Sequence, residues 1–162
     1  MAKVVTTHSK YGGVIVSKFD IRKLNASLAD KRAGVTKHII NQLSYIGEEC
    51  IRIARESGDY NDITGNLRSS IGYVILNDGK PVVRGAAKQY SGKKGNGEQG
   101  APAADALLKK LQADFPWGIV LIVCAGMNYA AYVENVHHKD VLTSAELKAE
   151  SLMKSLLKGI VK

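Results

Sequence analysis

Long apolar runs are missing from this chain. The longest, Ile119 to Gly126, is far too short to span a bilayer, and Met1-Ala2-Lys3-Val4-Val5 opens no apolar segment of signal-peptide length. The chain is therefore expected to stay in a cytoplasm unless it leaves inside a larger assembly. Cysteine is equally scarce. Cys50 and Cys124 are the only two, each inside an apolar periodic stretch and neither in a closely spaced motif. That argues against a disulfide framework and for buried free thiols in a reducing compartment. Acidic residues are in deficit, 15 Asp and Glu against 23 Lys and Arg for a net charge of +8. Acidic surfaces or nucleic acid thus suit this chain as neighbours. The basic residues are nevertheless dispersed, and their largest cluster, Lys88, Lys93 and Lys94, lies in a glycine-rich stretch and reads as a solvated surface.

What is present fits a globular protein. Hydrophobic residues make up 45% and charged residues 23% of 162 positions, a mixture that can build a core without staples. Val14-Ile15-Val16, between Gly12 and Ser17, reads as a short strand, and Asp20 is placed to cap a short helix carrying Ile21, Leu24 and Leu28. From Asp30 to Ser57, Val35, Ile39, Leu43, Ile46, Cys50 and Ile53 recur at steps of three and four, one face of a long amphipathic helix. Gly58 suits its C-terminal end.

Ser70 to Leu76 is rich in β-branched and aromatic residues, and Asn77-Asp78-Gly79-Lys80 is a turn signal into Pro81-Val82-Val83-Arg84, so two antiparallel strands are expected. Residues 85–100 hold five glycines among Lys, Gln and Ser without apolar period, the composition of a flexible loop within one domain spanning 1–162. A helix is expected over Ala101 to Leu111. Trp117 to Ala125 reads as a strand buried on both faces or at a subunit contact, and Thr143 with Glu146 forms a capping-box pattern before a C-terminal helix. The order gives an α+β fold: a small antiparallel or mixed sheet with the long helix and the C-terminal helix packed on one face.

Three patterns invite chemistry and fail on context. Gly95-Asn96-Gly97-Glu98-Gln99-Gly100 matches the dinucleotide-binding expression, yet no strand directly precedes it. His137-His138 beside Asp140 lacks further ligands at metal spacing, and adjacent residues point in different directions. Cys50 beside Glu48-Glu49 lies on the apolar helix face, with no histidine placed by spacing to activate it. No catalytic residue, cofactor or metal is expected.

Two segments stand out. In the first, Thr64-Gly65 makes a sharp turn, Leu67 and Ile71 offer apolar anchors, and Arg68 carries a fixed fork of donors. In the second, Tyr129-Ala130-Ala131-Tyr132-Val133-Glu134 sets two tyrosines and a carboxylate on a small-residue turn. Read by itself, each is equally an ordinary connection plus core. In this order, after a long helix, Thr64-Gly65-Asn66-Leu67-Arg68-Ser69-Ser70-Ile71 and Tyr129 to Glu134 resemble the tail-component and tail-completion family of tailed double-stranded-DNA bacteriophages, over residues 30–160.

The resemblance implies a non-catalytic virion or prophage protein that joins head to tail or completes the tail end. It implies assembly into a homo-oligomeric ring, contacts with other head–tail junction or tail proteins, and DNA passing through a basic lumen. The place of action would be the host cytoplasm during assembly and then the virion, with no membrane partner. Thr64, Gly65, Leu67, Arg68, Tyr129, Tyr132 and Glu134 are the assembly residues it singles out, with Arg68 expected to project from the end of the sheet beside Glu134 or a neighbouring subunit. A small basic nucleic-acid-binding module is the alternative.

Overall fold

The computed structural model describes residues 4–5, 16–17, 20–56 and 58–160. It divides the chain into two compact units, 1–38 and 39–162. In the first, β1 (Val4–Val5) pairs antiparallel with β2 (Val16–Ser17). Val14 and Ile15, the rest of the expected strand, lie outside the described residues. Helix α1 (Ile21–Glu56) begins in this unit and continues into the second. Asp20 caps it as expected, its Oδ1 accepting the Arg22 and Lys23 amides at 3.1 and 3.3 Å. The two helices expected over this stretch are one: Ala29, Lys31, Arg32 and Ala33 are good helix formers, and they carry the helix through Gly34, the weakest former between Leu28 and Val35.

The second unit is built on a three-stranded antiparallel sheet of order β4-β3-β5, with β3 (Ile71–Asn77) in the middle, β4 (Lys80–Arg84) on one edge and β5 (Ile119–Ala125) on the other. Asp78 and Gly79 both have positive φ, 48° and 74°, as the two-residue type I′ hairpin requires. The whole of β3 pairs with β5, from Ile71 with Ala125 to Asn77 with Ile119. β3 is almost wholly buried because both of its faces are covered.

On one face, Ile71, Tyr73 and Ile75 pack against Leu43, Ile46, Cys50 and Ile51 of α1 and Ala145 of α5 (Thr143–Ile160). Gly47 lies directly under the Tyr73 ring. The Tyr73 hydroxyl donates to Glu48 Oε1 at 2.9 Å and meets Ser44 Oγ at 3.3 Å, fixing the helix to the strand. The long helix and the C-terminal helix thus share one face, as the sequence implies. On the other face, Val74, Leu76, Ile122 and Cys124 pack against Leu108 of a further helix, α3 (Gly100–Gln112). The sandwich therefore has helices on both sides. The cysteines are buried on opposite faces, and burial pushes the Cys124 thiol up to about 11. No helix among the described residues is long and apolar enough to cross a membrane.

Helix α5 is not capped by a Thr143–Glu146 box. Thr143 is its first residue, and the acceptors come from earlier in the chain: Glu134 Oε1 takes the Leu142 and Thr143 amides at 3.0 and 2.8 Å and the Thr143 hydroxyl at 2.6 Å, while Asp140 Oδ1 takes the Ser144 amide at 3.1 Å. Local spacing marks the helix start, but a carboxylate folded back from a neighbouring turn wins the exposed donors.

Candidate functional site

Between α1 and β3 the chain must reverse within a few residues, and it does so at Thr64-Gly65. Gly65 has φ 80°, and a Cβ there would land on the Tyr90 carbonyl. Only glycine meets both demands. A single turn of helix follows, α2 (Asn66–Ser69), before β3 begins at Ile71. Leu67 is buried, and Arg68 sits on this turn, ahead of the strand.

Residues 85–100 follow a defined course against this turn. The Lys94 amide donates to Ile63 O at 2.8 Å and the Gly97 amide to Thr64 O at 2.9 Å; Ser69 Oγ accepts the Tyr90 amide at 2.8 Å and donates to Gly65 O at 2.7 Å. Gly97, at φ 73°, lies so close that a Cβ would strike the Tyr90 carbonyl and Ser69 Oγ. These glycines also serve close backbone approach, a use that composition does not reveal.

The second segment joins the same turn. The Gly126 amide donates to Ser70 O at 2.9 Å and the Met127 amide to Ser70 Oγ at 3.3 Å. The chain then enters α4 (Ala130–Asn135), with Tyr129 immediately before it. Burial raises the Tyr129 hydroxyl above its ordinary value; the Thr64 side chain opposes this and the Asp62 charge adds to it. The two segments singled out in the sequence are thus neighbours in space, tied through Ser70. They part at the second tyrosine. Tyr132 is exposed, its ring edge-on to His137 at 5.0 Å, and Glu134 faces α5.

Arg68 corrects an expectation. It lies with Asp62 instead of Glu134, Nε standing 3.7 Å from Oδ2, beyond hydrogen-bonding distance. Its guanidinium carbon is 5.7 Å from both the Tyr60 and Tyr90 ring centroids, within cation–π range. Glu134 is unavailable to it because the carboxylate caps α5. Burial would raise Glu134, but the Thr143 hydroxyl and the Leu142 and Thr143 amides outweigh it and hold the group below the ordinary carboxylate range. Asp62 goes the other way: burial pushes it up against the pull of Arg68 and of the turn's amides.

Sequence reasoning missed Arg55. It is 6% exposed, donates from Nη2 to Ile71 O at 2.7 Å and to Ala86 O at 3.4 Å, and lies 5.8 Å from the Tyr90 centroid. Lys88 Nζ approaches the same ring at 5.0 Å. Tyr90 therefore gathers three cations. The missed signal is the four-residue step from the apolar positions Cys50 and Ile51 to Ala54 and Arg55, which continues the buried face through an arginine. Tyr60 locks the same corner, its hydroxyl donating to Ala54 O at 2.9 Å.

No family model matches the chain, and neither a curated protein nor a solved structure matches it.

Proposed function

We propose that this chain is a non-catalytic structural protein of a tailed bacteriophage or prophage, acting at the head–tail junction or the tail end. It works by assembling with its own copies into a ring and by binding other junction or tail proteins. One observation carries the reading: the two segments that resemble the tail-completion family, far apart in sequence, are joined at Ser70, which accepts the Gly126 and Met127 amides. The ionisable groups of that framework are engaged structurally. Glu134 caps a helix, and Arg55 and Arg68 lie against tyrosine rings. Tyr129 and Tyr132 are the partly or fully exposed members and form part of the contact surface in this reading. The exposed Lys93 and Lys94, in a chain of net charge +8, suit a lumen through which DNA passes.

Sedimentation and negative-stain electron microscopy of the purified protein test this. Closed rings of defined mass are expected. A monomer at all concentrations that binds free DNA, with affinity falling steeply in salt, would replace the reading with a nucleic-acid-binding module.

A further inference from the structure

The two edges of the sheet are built in opposite ways. β4 carries the usual defences of an exposed edge: Lys80 and Arg84 at its ends, Pro81 within it, and a register irregularity opposite Ile75 and Leu76. β5 carries none. Its sequence, Ile119-Val120-Leu121-Ile122-Val123-Cys124-Ala125, has no charge, no proline and no bulge against β3, and among the described residues it pairs with β3 alone. Its remaining backbone donors and acceptors point to an open side.

That side is apolar. A groove of about 520 Å³ runs beside the strand, lined by Ile119, Val120, Leu121 and Val123 of β5 and by Ala149 and Met153 of α5, with Glu146 its one charged residue. Val120 belongs to the α3 face of the sheet and Leu121 to the α1 face, so residues from both faces reach the groove and it follows the strand's edge. Just before the strand, Trp117 is 80% exposed and Phe115 41%. Aromatic anchors beside an apolar strip are characteristic of protein contacts.

We infer that the free edge of β5 is a contact between two copies of this chain, in which β5 of one pairs antiparallel with β5 of the other across a two-fold axis at Ile122. This inference rests on the self-assembly reading and specifies one of its surfaces. Two features select a second copy as the occupant. The first is charge. Each copy carries net +8, yet no charged residue occurs from Phe115 to Val133, so two copies meet along this strip without opposing their like charges. The second is register. Antiparallel pairing centred on Ile122 sets Ile119 against Ala125, Val120 against Cys124 and Leu121 against Val123, which keeps each apolar set on its own face of a continuous six-stranded sheet. It also carries Trp117 of each copy toward Met127 of the other. A seven-residue strand pair is about 24 Å long, so strand and groove together give the contact the reach of a specific interface. Such a contact joins copies in pairs, and a ring closes only through a second, different surface.

The test is analytical ultracentrifugation of the full chain with hydrogen exchange of β5, on the parent, Val120→Lys, Val123→Lys and, on the guarded edge, Val82→Lys. The parent is expected to sediment as a dimer or an even multiple. In the assembled state β5 amides turned away from β3 are protected, and they lose that protection on dilution. Val120→Lys or Val123→Lys, in whichever variant keeps the parent's melting temperature, should weaken association by about tenfold or more, with Val82→Lys unchanged. A folded β5 variant that associates like the parent overturns the inference. So does an assembled parent whose β5 amides exchange equally at all concentrations, a result that leaves ring assembly standing through another surface. A parent that remains monomeric throughout overturns both.

Discussion

The Thr64–Ser69 turn and strand β5 solve opposite problems. Around the turn, most polar groups are answered within the chain: Ser69, Ser70, Thr64 and the amides of Tyr90, Lys94 and Gly97 make internal hydrogen bonds, and three cations share the Tyr90 ring, with Arg55 Nε and Arg68 Nε the buried exceptions that have no hydrogen-bond acceptor. Along β5 one whole side is unanswered, with half-buried apolar side chains above and below it. A region closed on itself gives stability and has little left to offer a partner. A region with open backbone groups and apolar surface has the reverse balance. The motif-rich turn is therefore framework, and the plain apolar strand is where binding energy remains.

The comparison breaks most visibly at Gly65. Gly65→Ala forces a side chain onto the Tyr90 carbonyl at a backbone conformation of φ 80°, and it should destabilise the fold by at least about 3 kcal/mol. In a thermal melt this appears as a drop of roughly 6–12 °C. Leu67→Ala comes next. Leu67 is 3% exposed within the main core, so its loss should destabilise by about 2–5 kcal/mol, read from the chemical-denaturation midpoint.

Arg68→Ala should be milder, about 1–2 kcal/mol at neutral pH, through lost tyrosine contacts and the buried Asp62 left without its cation. The pH dependence separates it from a packing defect. Burial already raises Asp62 in the folded protein, and removing Arg68 raises it further. A carboxylate whose folded pKa lies above its unfolded value opposes folding above that range and ceases to as it takes up a proton. The deficit of Arg68→Ala should therefore shrink as the pH falls through the folded pKa of Asp62, whereas the Leu67→Ala deficit should persist. Melting temperatures of both variants from neutral to acid pH check this.

Glu134→Gln is expected to have the smallest effect, about 1 kcal/mol, by weakening the cap of α5. Its sign with pH is opposite. Glu134 lies below the ordinary carboxylate range when folded, so its contribution is full above the unfolded pKa and disappears as the pH falls through the folded one. Parent and variant should converge in acid.

Periodicity made the elements legible: the long helix, the Asp78-Gly79 hairpin, the apolar strand and the C-terminal helix all follow from spacing and turn chemistry. It did not show that the two expected helices are continuous, because Gly34 lies between their apolar stripes and spacing alone does not tell a tolerated helix glycine from a break. The clustering of the two distinctive segments at Ser70 was not legible, because they lie far apart in sequence and no local spacing relates them. Partners were misjudged wherever they come from distant sequence: Asp62 in place of Glu134 beside Arg68, Glu134 in place of Glu146 at the start of α5, and Arg55 beneath Tyr90. The glycines of 85–100 carry the same lesson, because close approach needs a second strand of chain that composition does not reveal. Limited proteolysis of the free protein should accordingly spare this segment, which makes at least five backbone and side-chain hydrogen bonds to the turn.

The central claim is that framework and contact are separate regions. Melting temperature and sedimentation mass, measured together on Arg68→Ala, Val120→Lys and Val123→Lys at one protein concentration, test it most directly. The account predicts that Arg68→Ala melts lower and keeps the parent's mass, while the β5 variant that melts with the parent, Val120→Lys or Val123→Lys, falls to a lower mass. An Arg68→Ala protein that is as stable as the parent yet fails to assemble, beside a β5 variant that melts with the parent and assembles normally, would contradict it.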